Sequence, residues 1–259
     1  MAGAVQRVFA VLEYLLDHPE GAMMSHVAEA LSLPVSATHR ALGELIAAGF
    51  VHQRIAQGPY FVTMKLTSMG LGYLSRAGIA DVAQPALDGL ALRSGELVRL
   101  AVADADSLVF VARAQGSRTN LRYDPDMGLN VQLSCSAAGH AFLAAMADQP
   151  ALELVFQQGF GRPEDFGPLA PTSALELLTC LARVREQGFS TIRDQFAPNM
   201  SSMGAAVHRP SDGAVIGVVT IAGPSFRLTE QKMEELGPDL LAAAREIGGL
   251  SIGSGYFGR

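Results

Sequence analysis

Two short stretches of the chain hold residue types that could do chemistry. The first is Leu133-Ser134-Cys135-Ser136-Ala137-Ala138-Gly139-His140. Ser134 or Cys135 could serve as a nucleophile with His140 as its base, the pairing that acyl-transfer and hydrolytic reactions need. The same run of small residues leads into a helix, and free N–H groups at a helix N-terminus favour a carboxylate or another anion. Ordinary capping by Ser134 or Ser136 is the alternative reading of it. The second stretch is Ser36-Ala37-Thr38-His39-Arg40-Ala41-Leu42-Gly43. One long cation stands there among small or polar side chains, and such a guanidinium can make two parallel hydrogen bonds to the edge of a guanine, worth about 1–3 kcal/mol of discrimination.

Other chemistries lack their residues. There is no Gly-x-Ser-x-Gly elbow, Walker A loop, GxGxxG or zinc spacing. Cys135 and Cys180 form no CxxC and no Cys/His cluster, so no metal or cofactor is implied. The chain has 19 Lys+Arg against 25 Asp+Glu, a net charge of -6. Charge alone therefore does not point to nucleic acid. The first 65 residues repeat this balance, with four basic and five acidic side chains, so contact with nucleic acid must rest on shape and placement. Arg7 and Glu13 interrupt the first apolar run and no basic segment precedes it, unlike a signal peptide. No apolar run is long enough to span a bilayer. A soluble, cytoplasmic protein is expected, with 259 residues for one large or two modest domains.

The elements around Arg40 follow from periodicity. Val5, Val8, Leu12, Leu15 and Leu16 fall on one helical face, and His18-Pro19-Glu20-Gly21 stops that helix. A second helix is expected from Ser25, as N-cap, to Leu31, with Val27, Ala28 and Leu31 inward. Ser32-Leu33-Pro34 is a turn. A third helix runs from Val35 or Ser36 to Ala48-Gly49, with Thr38, Leu42, Leu45 and Ile46 on one face and Ser36, Ala37, His39, Arg40 and Gly43 on the other. Two helices across so short a turn have helix-turn-helix geometry. Phe50–Arg54 and Tyr60–Thr63, joined through Gln57-Gly58-Pro59, read as the two strands of a wing.

From Leu33 to Val51 the sequence resembles the IclR (isocitrate-lyase regulator) family of bacterial transcription factors, whose signature runs roughly "LPxSTxHRLLxxLxxxGxV". Here it is Leu33-Pro34-Val35-Ser36-Ala37-Thr38-His39-Arg40-Ala41-Leu42, then Leu45, Gly49 and Val51, with Ala37 at the usual threonine. Gly139-His140-Ala141-Phe142-Leu143-Ala144 is similar to the family's "GKAxLA", Gly188-Phe189 to its "rGY", Met203–Val207 to "iAAPV", and Ile221–Thr229 to "vSGPxxRlT". The resemblance implies a one-component regulator that binds double-stranded operator DNA through residues 1–64, continues through a linker helix over 65–79, and binds a small-molecule effector in a GAF-like domain over 80–259. Partners are then the DNA, the effector and a second copy of the chain, as a homodimer or dimer of dimers, with no membrane. Several domains sharing one site would each neutralise few phosphates, in keeping with the weak basic charge.

The pattern after the linker agrees with α+β around a mainly antiparallel sheet. Residues 81–93 are amphipathic through Val82, Leu87, Leu90 and Leu92. Strands are expected at 97–102 and 108–111 around the Asp104–Ser107 turn, with extended segments at 119–123 and 130–133. Helices fall at 137–147, 150–158 and 173–187, strands near 189–193, 203–208 and 214–222, and a closing helix over 230–248. Carried over by position, the effector residues are Leu133, Ser134, Ala137, Ala138, Ile192, Ser202, Thr220 and Ala222. The DNA-binding set is Ser25, Ser36, Ala37, His39, Arg40, Gly43, Arg54 and Gln57, with Arg54 and Gln57 reaching backbone or minor groove.

The chain departs from the family where the effector should sit. The usual His-Ala-Thr is Ser134-Cys135-Ser136, the usual lysine is His140, and the acidic "DxE" has become Ile192–Phe196. A hydroxyl-lined pocket for a carboxylate or aromatic effector is retained. Arg193 could meet an anionic effector or be a solvated edge residue. Cys135 could be a redox sensor or a buried filler, and His140 reads as a helix-face residue. Two rivals to a gated DNA-binding protein remain: a hydrolytic enzyme using Cys135 and His140, and a sensor acting only through protein partners.

Overall fold

The computed structural model describes residues 3–118, 122–125, 127–128 and 130–251, and the side chains of all of these except 79 and 80. The chain forms two compact units, Met1–Leu74 and Ser75–Arg259.

The first unit holds α1 (Ala4–Leu16), α2 (Met24–Ala30), α3 (Val35–Ala47), β1 (Val51–Gln53) and β2 (Tyr60–Val62), and its end lies within α4 (Lys65–Ala77). Its core joins Val11, Leu12 and Leu15 of α1 to Val27 of α2, Ala41, Leu42 and Leu45 of α3, and Val51 and Tyr60 of the wing. The expected inner face of α1 is corrected. Val11 is buried, while Val5 is 68% exposed and Leu16 47% exposed, with Phe9 also outside. At 100° per residue, 5, 9 and 16 form a second apolar stripe, so the sequence alone could not say which stripe meets the core. Ile46 of α3 is likewise exposed and Ala41 takes its place inside. Ser25 is not an N-cap: α2 is preceded by Met23 in an extended conformation.

The second unit is a five-stranded antiparallel sheet in the order β4-β3-β7-β6-β5. Its strands are β3 (Leu97–Asp104), β4 (Ser107–Gln115), β5 (Ser190–Arg193), β6 (Met200–His208) and β7 (Val215–Pro224). α5 (Ile79–Ser94) packs on β3 and β4, α9 (Glu230–Leu250) packs on β6 and β7, and the two helices touch each other. α6 (Ala137–Ala144) packs on β5, β6 and β7, backed by α7 (Asp148–Gln158) and α8 (Ala174–Gln187). Val218 on β7 shares a buried cluster with Ala138, Ala141, Phe142 and Leu143 of α6, so the even-numbered residues of β7 face α6 and the odd-numbered ones face away. Leu92 is 74% exposed, not inward as its spacing suggested. Of the extended segment expected at 119–123, residues 119–121 lie outside the described residues, and no strand includes Arg122 or Tyr123. Near 130–133 only Asn130 pairs, through an isolated bridge to Val109. Among the described residues no helix is long and apolar enough to cross a membrane.

Candidate functional site

In the first unit the turn between α2 and α3 places Arg40. Ser32 takes a left-handed φ of 51°, and the amides of Ser32 and Leu33 bond back to Glu29 and Ala28. α3 then starts behind Pro34, and Thr38 Oγ1 donates to the Pro34 carbonyl at 3.2 Å. Thr38, Ala41, Leu42 and Leu45 anchor the helix. The opposite flank stays outside: Ser36, His39, Arg40 and Gly43 are exposed and Ala37 is half-buried. A Cβ added at Gly43 would meet nothing within 4 Å. Ser36, Ala37 and Arg40 border a cleft against Ala4, Arg7 and Val8 of α1, while His39 and Gly43 face outward.

The wing is braced from below. β1 and β2 pair antiparallel with Val51 opposite Val62, and Ala22 extends the pairing by exchanging both backbone bonds with Tyr60. Arg54 lies 4.6 Å above the Phe61 ring. Gln57 has a left-handed φ of 62° at the tip, and both it and Arg54 are exposed. Ser25 is exposed on α2. All eight residues named for DNA binding thus lie at or near one unit's surface.

In the second unit a cavity of about 330 Å³ lies between α6 and the sheet, within the range of small-molecule sites. Strand register builds its floor. Ala222 on β7 pairs with Ser202 on β6, which pairs with Ile192 on β5, and Thr220 pairs with Arg99 on β3. α6 can come close because Gly204 has no side chain: a Cβ there would lie 2.9 Å from the Ala137 carbonyl. Ser190 Oγ donates to that same carbonyl at 2.6 Å. Ala137 and Ala138, at the start of α6, close the cavity.

Six of the eight effector residues named from sequence therefore line one cavity: Ala137, Ala138, Ile192, Ser202, Thr220 and Ala222. Leu133 and Ser134 do not. Leu133 is packed in the core behind α6, and the Ser134 hydroxyl donates to the Phe160 carbonyl at 3.3 Å. Capping falls to Ser136, whose Oγ accepts from the Gly139 amide at 2.9 Å. Arg193 is on the solvated edge, beside Asp194 and Glu230 at 3.6 and 3.9 Å.

Arg99, Phe110, Gln132, Phe196 and Met200 also line the cavity, and sequence reasoning missed them. A signal for Arg99 was present: it is the one charge in Leu97–Val102, a run in which every residue is buried. Phe196 comes from the loop before β6 and Met200 from the first position of that strand, where periodicity carried no signal.

The nucleophile-and-base reading loses its geometry. His140 is fully buried and its Nε2–H donates to the Ser134 carbonyl at 2.8 Å; burial pulls its pKa down, with that bond a smaller opposing cause. Cys135 is also buried, and burial pushes its thiol up to about 12, so it holds a proton instead of attacking. Neither side chain lines the cavity. Among the described residues no group of three or more His, Cys, Asp or Glu could hold a metal.

Residues 71–248 match the family described as bacterial transcriptional regulator IclR C-terminal, and residues 4–54 match the IclR helix-turn-helix domain. The chain is 28% identical over 246 residues to the HTH-type transcriptional repressor AllR of Escherichia coli (strain K12), covering 95% of this chain and 89% of that one. Its fold is that of the Thermotoga maritima IclR (24% identity, TM-score 0.73, 94% of this chain and 96% of that chain). It is also that of a Microbacterium hydrocarbonoxydans IclR homolog complexed with 4-hydroxybenzoate (22% identity, TM-score 0.75, 96% and 98%). A helix-turn-helix unit followed by a sensor unit whose family match spans more than half of the chain makes this protein a member of the IclR family of bacterial transcriptional regulators, with a DNA-binding N-terminal domain and a ligand-binding C-terminal domain.

Proposed function

We propose that the protein is a cytoplasmic repressor that reads its operator through the outer flank of α3 and is released by a small carboxylate-bearing or aromatic effector held between α6 and the sheet. The observation that carries the DNA half is the exposed flank of α3. Ser36, Ala37, His39 and Gly43 leave room for base edges to approach, and exposed Arg40 is the reader long enough to reach a guanine. Ser25 on α2 and Arg54 and Gln57 on the wing would touch the backbone or the minor groove, fixing register without reading bases. Repression follows the role of the AllR relatives, which are transcriptional repressors. The effector class is supported by the mixed lining of the cavity, hydroxyls of Ser202 and Thr220 beside Phe110 and Ile192, and by the 4-hydroxybenzoate held by the Microbacterium neighbour.

The working unit would be a homodimer or dimer of dimers. Val5, Phe9 and Leu16 of α1 and Met69 and Leu71 of α4 leave apolar surface exposed, more than scattered surface residues need and suited to a second copy. Residues 1–64 would then be the reading head, 65–79 the linker helix and 80–259 the sensor.

Arg40→Ala tests this in a mobility-shift assay on DNA from the protein's own promoter region. The variant is expected to lose selectivity for the operator, about 1–3 kcal/mol, while its melting curve stays that of the parent. Unchanged selectivity would remove Arg40 from the role. Failure of the parent to bind any such DNA would favour a sensor acting through protein partners.

A further inference from the structure

Arg99 is 9% exposed, and its Nε has no hydrogen-bond partner among the described residues. Among the described residues, the carboxylates of Glu96 and Asp124 are committed elsewhere. Glu96 takes both Nε and Nη2 of Arg227 at 2.7 and 2.8 Å. Asp124 takes Arg113 at 2.6 Å and faces Arg122 at 3.7 Å. The Arg99 guanidinium carbon stands 3.6 Å over the centre of the Phe110 ring, with the Tyr123 ring at 5.9 Å. Burial works against its charge, Tyr123 partly offsets this and Arg113 adds a smaller repulsion, yet a guanidinium does not deprotonate in proteins. A buried cation without a counter-charge opposes folding unless something supplies one.

The strand register aims this cation into the cavity, opposite Thr220. The first turn of α6 faces the same space through Ala137 and Ala138, so the helix dipole adds positive potential there. Phe110 covers one face of the guanidinium, which leaves its in-plane donors for a ligand. A carboxylate taking two of those donors lies in the guanidinium plane. An acid whose body is coplanar with its carboxylate then extends along the cavity between apolar walls.

We infer that Arg99 is the anion receptor of the effector cavity and that the effector is a flat organic acid of the benzoate kind, its carboxylate forked onto Arg99 and its ring against Ile192 and Phe196. This rests on the reading of the cavity as the effector site. The test is calorimetric titration of the full chain with benzoate, 2-furoate and nicotinate, each paired with its uncharged amide, and with acetate as charge without a body. At least one acid is expected to bind about 30-fold or more tighter than its amide and than acetate, and Arg99→Gln is expected to reduce it to the level of the amide. Arg99→Lys, which keeps the charge and loses the fork, should fall between. If Arg99→Gln does not fold, the ratio of acid to amide in the parent decides alone. Equal binding of an acid to parent and Arg99→Gln, amides binding as tightly as acids, or no binding by any of the acids would overturn the assignment of Arg99. Ser202→Phe, which fills the cavity, separates the two readings. Acid binding that survives it overturns the cavity as the effector site, whereas amides that bind the parent as tightly as the acids and are lost in it leave the cavity standing and Arg99 without its role.

Discussion

α3 begins Val35-Ser36-Ala37 and α6 begins Ala137-Ala138-Gly139 behind Ser136. Both present short side chains, but what comes close to them differs. Every residue of α6 from Ala137 to Leu143 is buried, and its small side chains let the helix descend onto the sheet and onto the Leu133–Ser136 loop. On α3 the equivalent flank is mostly exposed, and Gly43 faces open space. Short side chains mark where another surface must approach. In α6 that surface is the protein's own backbone, and at Gly43 of α3 the fold supplies none, which is why the exposed α3 flank reads as a docking face.

Two glycines sharpen this contrast most. A Cβ at Gly139 would overlap the backbone of Leu133. Gly139→Ala should therefore cost about 3 kcal/mol in calorimetric unfolding, a large value for one methyl group. Gly43→Ala meets nothing within 4 Å and should stabilise the first unit by about 0.5–1 kcal/mol through helix propensity, while weakening operator binding. A stability loss at Gly43 equal to that at Gly139 would break the comparison.

The capping serines separate next. Ser136 caps α6 through the Gly139 amide, so Ser136→Ala should cost about 1 kcal/mol. Ser36 makes no cap bond, since Pro34 holds that position. Ser36→Ala should then stay within about 0.5 kcal/mol of the parent in stability and show its effect only on DNA.

A last contrast is a slope with pH. His140 on α6 is buried with its pKa lowered from 6.5, first by desolvation. The unfolded chain takes up a proton below pH 6.5 that the folded chain refuses, so stability should be complete above that value and decline below it. His140→Gln should flatten this decline in urea melts followed by circular dichroism between pH 7.5 and pH 5. A parent curve that rises on acidification would overturn the assignment of a neutral imidazole.

Much of this molecule was legible before its structure. The break at Ser32-Leu33-Pro34, the anchoring of α3 by Thr38, Leu42 and Leu45, the hairpin around Ala105 and the order of the helices and of the five sheet strands follow from local periodicity and turn chemistry, whereas the extended segments expected at 119–123 and 130–133 add no strand among the described residues. Six of the residues carried over from the family resemblance line one cavity because they sit at fixed places in elements that periodicity locates. The inner stripe of α1, the exposure of Ile46 and Leu92, and the turning of Leu133 and Ser134 away from the cavity could not be read, because period gives the spacing of a face and not the direction of its neighbour. Arg99 shows the limit best. Its type was visible within an apolar strand, but its meaning depends on Thr220 pairing beside it, on Phe110 stacking over it, and on Glu96 being taken by Arg227. Those partners are brought together from across the second unit by sheet register and by the segments flanking β3 and β7, and whether a buried charge is balanced is a property of that assembled neighbourhood.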